Sequence, residues 1–174
     1  MVTIRQEQKN DYRKTEELVQ QAFLNEEFSD KTEHELVKRI RECDAFVPEL
    51  SIVAVNEEIV GHIMLSKITI EQDGASVDSL ALAPVSVSPS YQKKGIGGKL
   101  IASALEKAKE LGYGSVVVLG HSEYYPKFGF KKASEWNIKA PFEVPDEVFM
   151  VMELRENTLQ GVEGVVHYSS AFAE

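Results

Sequence analysis

A chain of 174 residues with 43% hydrophobic content is long enough to bury one sizeable core and short for two full domains. Its formal charge of −9 argues against general nucleic-acid binding, which relies on a basic surface, and its single cysteine, Cys43, excludes an internal disulfide and an all-cysteine zinc site. No apolar run approaches the roughly 20 residues that a membrane span requires, and the start Met1-Val2-Thr3-Ile4-Arg5-Gln6 has no signal-like stretch, so the expected location is cytoplasmic.

In chain order, Val2 to Arg5 reads as a short strand, and Asn10 or Asp11 caps a helix with apolar positions Leu18, Val19, Ala22 and Phe23. Asp30 with Glu33 three residues on predicts a capping box for a second helix, which carries Leu36, Val37 and Ile40 on one face. From Ser51 the apolar period becomes that of strands. Ile52 to Val55, a turn at Asn56-Glu57-Glu58 and the run Ile59 to Ile70 predict a hairpin. His62 shares a face with Met64, Ile68 and Ile70 and reads as a packed, hydrogen-bonded side chain. Gln72-Asp73-Gly74 makes the next turn, and Val77 begins the strand that follows.

That strand ends in Val85-Ser86-Val87-Ser88-Pro89-Ser90-Tyr91-Gln92-Lys93-Lys94-Gly95-Ile96-Gly97-Gly98-Lys99-Leu100, where a β-branched run stops at proline and a glycine-rich, lysine-flanked turn opens a helix. Glycines at 95, 97 and 98 let the backbone approach an anion, and the first free N–H groups of the helix point at it with the positive end of the helix dipole behind them. Lys93, Lys94 and Lys99 add local positive charge, so the stretch is a candidate phosphate cradle. A Walker A loop ending in Gly98-Lys99 would need glycine at 93 and Ser or Thr at 100, where this chain has Lys93 and Leu100. A dinucleotide fingerprint starting at Gly95 fails at Leu100 as well. The pattern present is Val-x-Pro followed by Gln-x-x-Gly-x-Gly, from Val87 to Gly97. It resembles the acetyl-CoA-binding motif of the GNAT superfamily of N-acetyltransferases.

Downstream, Leu100, Ile101, Ala104, Leu105, Ala108 and Leu111 keep helical spacing, Gly112 is the expected stop, and Ser115 to Leu119 reads as a strand buried on both faces. Strand, helix and buried strand in this order predict a parallel βαβ unit. The fold class expected is therefore a mixed α/β sheet, with antiparallel N-terminal strands continuing into one parallel crossover. The segment His121 to Phe130 ends in Tyr-x-x-x-Gly-Phe and resembles the second GNAT signature, with Tyr125 at the position whose tyrosine faces the cofactor sulfur. The asparagine usual upstream of it is absent, and Pro126 shortens the helix. Ala133 to Glu147 reads as loop, Val148 to Leu154 as strand and Gly164 to Tyr168 as a last strand. Gly120-His121, Tyr124-Tyr125-Pro126 and Gly164-Val165-Val166-His167-Tyr168 together resemble the YhbS-like branch of predicted N-acetyltransferases. The expected organisation is one GNAT-like domain over residues 1–154, with an extension over 155–174 packed on it.

The resemblance implies acetyl-CoA as co-substrate and no metal. Its pyrophosphate would be held by Gln92, Lys93, Lys94, Gly95, Ile96, Gly97, Gly98 and Lys99, and its pantetheine arm would lie along Val85 and Val87. Pro84 has no N–H, which leaves Val85 to Ser88 as donors to the thioester carbonyl. Tyr125 is the candidate acid for the departing thiolate, since a phenol of pKa about 10 is protonated at pH 7. Tyr124 can exchange roles with it. Glu123, His121, Asp78 or a water chain stay open as the base. Phe23, Phe28 and Phe46 lie on segments that border the acceptor in this superfamily, with core packing the favoured role. Metal binding has no support in the sequence, because His34-Glu35 lacks a histidine at 38 and the four histidines are scattered.

The expected reaction is direct transfer of acetyl to a primary amine of a small molecule or protein. The acidic balance leans toward a cationic acceptor such as a polyamine, an aminoglycoside-like amine or a lysine side chain. The alternative class is a non-catalytic acyl-CoA sensor, against which the presence of Tyr125 beside the cradle speaks. A homodimer, with the extension exchanged or pairing at a sheet edge, is a further expectation.

Overall fold

β1 (Thr3–Gln6), α1 (Tyr12–Phe23), α2 (Glu33–Arg41), β2 (Phe46–Asn56), β3 (Glu58–Gln72) and β4 (Ala75–Val87) form the N-terminal half of the computed structural model, which describes residues 1–24, 26 and 29–173. α3 (Ile96–Glu110), β5 (Ser115–Leu119), β6 (Lys131–Lys132), β7 (Ile138–Lys139), β8 (Phe149–Glu153) and β9 (Gly164–His167) follow. Among the described residues the strands make one sheet in the order β1-β2-β3-β4-β5-β8-β6, with β9 joined to β3 and β7. β1 to β4 run antiparallel, β4 and β5 run parallel with α3 between them in sequence, and a second short parallel contact joins β7 to β9. This is the predicted mixed sheet. β9 pairs with β3 of its own chain, Val166 opposite Ile70. No described helix is long and apolar enough to cross a membrane.

Strand alternation divides the core. Leu80 and Leu82 of β4 and Val116 and Val118 of β5 pack with Leu100, Ile101 and Ala104 of α3, whereas Ala81 and Val117 between them join Ile138, Phe149 and Val151 in a second cluster. α1 and α2 bury Val19, Val37 and Ile40 against Met64 of β3 and Ala171. Phe23 and Phe46 pack partly buried against this third cluster, in the core role; Phe28 lies outside the described residues.

Local chemistry sets the helix starts. Asp11 stands at the N-cap of α1, but its carboxylate accepts from Arg5 Nη1 at 2.7 Å and from the Gln8 N–H at 2.8 Å instead of from the helix. The hydrogen bond from Arg5 holds this carboxyl below its usual range. α2 opens with Thr32 as N-cap, and the expected capping box is replaced by a turn. Asp30 accepts from the Thr32 N–H at 2.9 Å, while Glu33 accepts from the Ser29 hydroxyl at 2.5 Å.

Between the sheet and the first two helices lies a buried ionic chain. Arg41 Nη2 meets Glu7 Oε2 at 2.5 Å, and its Nη1 meets Glu16 Oε2 at 2.6 Å. The Ser51 hydroxyl donates to Glu7 Oε1 at 2.6 Å, so the His62 Nε2, 3.0 Å from Ser51 Oγ, is the protonated nitrogen and donates to it. His62 is the packed, hydrogen-bonded histidine expected, fully buried and with its Nδ1 unpartnered among the described residues. Burial pushes its pKa down from 6.5 to about 4. In that window the unfolded chain binds a proton that the folded chain refuses, so stability falls as pH drops from about 6.5 toward 4, by roughly 3 kcal/mol when fully developed. Denaturant titrations across this range should show the loss in the wild type and much less of it in His62→Gln; parallel pH curves would contradict the assignment.

Candidate active site

β4 and β5 hold each other only briefly. Their parallel register is Leu80 with Val116 and Ala81 with Val117, and a hydroxyl pair, Ser79 Oγ to Ser115 Oγ at 2.7 Å, pins that end. The register of β4 on β3 then slips between Leu65↔Leu82 and Ile63↔Val85, which places one extra residue in the Ala83-Pro84 stretch. Such a bulge bends a strand, and Pro84 offers no N–H to a neighbour. Past it, Val85 to Val87 stay paired with Ile63 to Gly61 on one edge, and no strand among the described residues pairs with the other edge. A gap therefore opens between β4 and β5 toward the end of β4 that carries the glycine turn.

There Lys93 (φ +64°) and Gly95 (φ +83°) turn the chain left-handed, a conformation glycine adopts at little cost. α3 starts at Ile96, and the first intrahelical bond is Lys99 N–H to Gly95 O at 3.1 Å. The amides of Ile96, Gly97 and Gly98 thus have no intrahelical acceptor, and no side chain caps this end. A Cβ on Gly97 would sit 3.5 Å from Tyr124 Oη and 3.8 Å from Val87 Cγ2, and one on Gly98 would sit 3.7 Å from Phe128 Cζ. These are ordinary contacts, so the fold itself tolerates a side chain there; the bare backbone is what an anion needs to reach the amides. Lys93, Lys94 and Lys99 are exposed around the turn. Gln92 is exposed as well, and its Nε2 donates to Val87 O at 3.0 Å, tying the turn to the strand. These features fit a phosphate group.

The segment after β5 closes one side of the gap. Tyr125 opens a 3-10 turn, Tyr125–Phe128, the shortened helix foreseen from Pro126. It packs in the α3-side core at 7% exposure, edge-on to Tyr124 at 5.2 Å and Phe130 at 5.7 Å between centroids. Burial, then the Tyr124 phenol, push its pKa up to about 12. A Cβ on Gly120 would come 2.5 Å from Tyr125 Cε2, so this glycine makes room for the ring. Sequence reasoning assigned no such role to Gly120, and placed Tyr124 only as an understudy; the Tyr124 hydroxyl in fact borders Gly97, with its ring 5.3 Å from that of Phe128.

The other expected residues divide. Strand end, glycine turn and tyrosine pair come together, since Val87, Gly97 and Tyr124 are in contact range. Ser88 is removed as a donor, because its N–H is spent on Val60 O at 2.8 Å. Asp78 is exposed at the opposite end of β4, seven residues and roughly 23 Å of strand from Val85. His121 and Glu123 are exposed beyond β5. On the sheet face opposite Tyr125, a cavity of about 290 Å³ sits where β4 and β5 part, against Ala81, Leu82, Ala83, Val117 and Leu119. Leu36 of α2 and the rings of Phe142, Tyr168 and Phe172 complete its wall. Among the described residues no group of three His, Cys, Asp or Glu side chains is placed to hold a metal ion.

A mixed sheet split between two parallel strands, with an uncapped glycine helix at the split, is the fold of the N-acetyltransferases: a GNAT acetyltransferase from Brucella melitensis, solved in complex with acetyl-CoA, superposes with a TM-score of 0.82 at 31% identity over 99% of this chain and 98% of its own. The chain belongs to the GNAT family of acetyltransferases, whose family model matches residues 5–130. It is 30% identical to the uncharacterized N-acetyltransferase YhbS of Escherichia coli strain K12 over 87% of this chain and 89% of that one. The crystal structure of Escherichia coli YhbS in complex with CoA superposes with a TM-score of 0.89 at 26% identity, covering 99% of this chain and 92% of that chain.

Proposed function

We propose that this chain moves the acetyl group of acetyl-CoA directly to a primary amine, with residues 1–154 as the transferase domain and 155–174 as an extension lying on it. The observation that carries this is the set of three uncapped amides at Ile96, Gly97 and Gly98 beside the open edge of β4. The pyrophosphate sits on these amides with Lys93, Lys94 and Lys99 around it, and the pantetheine arm runs along Val85 to Val87. A strand N–H there meets the thioester oxygen as it becomes an oxyanion, a contact worth about 2.7–4 kcal/mol of barrier. The ammonium first loses a proton to water; the amine then attacks the carbonyl carbon, the C–S bond breaks, Tyr125 gives its proton to the departing thiolate, and the second proton lost by the nitrogen returns to the phenol. The CoA complexes of Escherichia coli YhbS and of the Brucella melitensis acetyltransferase support the choice of co-substrate.

Calorimetric titration with acetyl-CoA followed by a thiol-release assay over an amine panel tests the proposal. Micromolar binding with amine-dependent thiol release is expected; absence of binding would sink it. Gly120→Ala should lower kcat by up to about 100-fold by displacing the Tyr125 ring while acetyl-CoA affinity holds, checked by the same two assays.

A further inference from the structure

The cavity between the parted strands says what kind of amine arrives. Its wall is apolar: among the described residues that line it, Tyr168 carries the single polar side-chain atom and none carries a carboxylate. Three rings build one side, Phe142 stacked on Tyr168 at 6.1 Å and 13°, and Tyr168 tilted on Phe172 at 5.1 Å. The small side chains of Ala81 and Ala83 keep the floor open, and Phe142 and Leu119, 47% and 46% exposed, stand at the mouth. Large apolar side chains left half in water are the kind that a ligand covers with gain. The mouth opens on the face opposite Tyr125, so an acceptor enters without passing the donor.

We infer that this cavity receives the acceptor, and that the acceptor is a primary amine on an apolar body, of the phenylalkyl or branched-alkyl kind, not a polycation. This rests on the acetyltransferase reading above. A polyamine or an aminoglycoside-like molecule would bring further ammonium groups against described lining residues that offer no carboxylate to pair them, which is costly. A single amine gains from the same wall, because removal from water disfavours its charged form and brings the neutral nucleophile within reach of neutral pH. That removes the need for a strong side-chain base, in keeping with the exposed or distant positions of His121, Glu123 and Asp78. The ammonium gives one proton to solvent to become the nucleophile, the nitrogen forms the amide bond as the C–S bond breaks, CoA leaves as the thiol with the proton from Tyr125, and the second proton from the nitrogen is relayed through water to restore the phenol.

The test measures 4-fluorophenethylamine by fluorine NMR line broadening on protein saturated with CoA, beside initial rates for phenethylamine, isoamylamine, spermidine and a lysine peptide with acetyl-CoA. Phenethylamine and isoamylamine are expected to exceed spermidine at least about tenfold in kcat/KM, which corresponds to about 1.4 kcal/mol. Spermidine should not compete with the fluorinated probe. Leu36→Asp and Phe172→Ala should each reduce broadening while the CoA dissociation constant stays within a factor of about two. Preference for spermidine or the peptide would overturn the inference, as would CoA binding with no broadening, or faster turnover of hexanoyl-CoA than acetyl-CoA, which would assign the cavity to the acyl chain. Loss of CoA binding itself overturns the acetyltransferase proposal, and the inference with it.

Discussion

Gly97→Glu is expected to weaken acetyl-CoA binding at least about 100-fold, or about 2.7 kcal/mol, without unfolding the protein. The new Cβ meets only ordinary contacts, at 3.5 Å from Tyr124 Oη and 3.8 Å from Val87 Cγ2, so the backbone need not move. The carboxylate then lies at the positive end of the α3 dipole, where a negative charge is favoured, and competes for the amides that the pyrophosphate would use. Glycine near a helix start also costs helix stability, up to about 1 kcal/mol relative to alanine, so the melting temperature should stay level or rise. Gly97→Ala separates the two effects: a small gain in stability with a smaller loss of affinity. Calorimetric titration paired with thermal melts reads both, and wild-type affinity in Gly97→Glu would place the phosphates elsewhere.

Tyr125→Phe should cut kcat about 10²–10⁴-fold and leave the acetyl-CoA dissociation constant unchanged. The phenol is buried among Tyr124, Phe130 and the α3-side core, and its pKa stands up at about 12. A raised pKa keeps an acid protonated to higher pH. The advantage of the wild type over Tyr125→Phe should therefore persist past pH 10, where an ordinary tyrosine would begin to lose its proton. An advantage that fades between pH 9 and 10 would point to a solvent-exposed phenol. Tyr124→Phe should behave differently: its hydroxyl borders Gly97, so acetyl-CoA affinity falls and kcat changes less.

The glycine turn and the helix behind it could be read from sequence because their chemistry is local. Glycines 95, 97 and 98, the lysines and the β-branched run before them occupy one continuous stretch, and positive φ at Gly95 with an uncapped helix behind it is what that spacing demands. Tyr125 was singled out by the likeness of Tyr-x-x-x-Gly-Phe to the second GNAT signature, and the structure places its ring beside Tyr124 at the same end of the gap. The cavity could not be read from sequence, because Leu36, Ala81, Val117, Phe142 and Phe172 come from five separate segments that only the sheet and its C-terminal wrapping bring together. His62 was expected to be satisfied, yet its partner network through Ser51, Glu7 and Arg41 spans residues 7–62 and has no spacing signature. Local turns misled at α2, where Asp30 is spent on the Thr32 turn and Thr32 takes the cap.

An acyl donor bound in the gap between β4 and β5 would tie the lifetime of this protein to the supply of that donor. The two strands pair at Leu80↔Val116 and Ala81↔Val117, and beyond that the facing edge of β4 has no strand partner among the described residues. A ligand that bridges the edges binds the folded chain and not the unfolded one, and adds about 2.7 kcal/mol at a hundredfold excess over its dissociation constant. Turnover by proteases that attack opened chains should then slow when acetyl-CoA is plentiful and quicken when it is scarce, making the abundance of the enzyme a gauge of the metabolic state it serves.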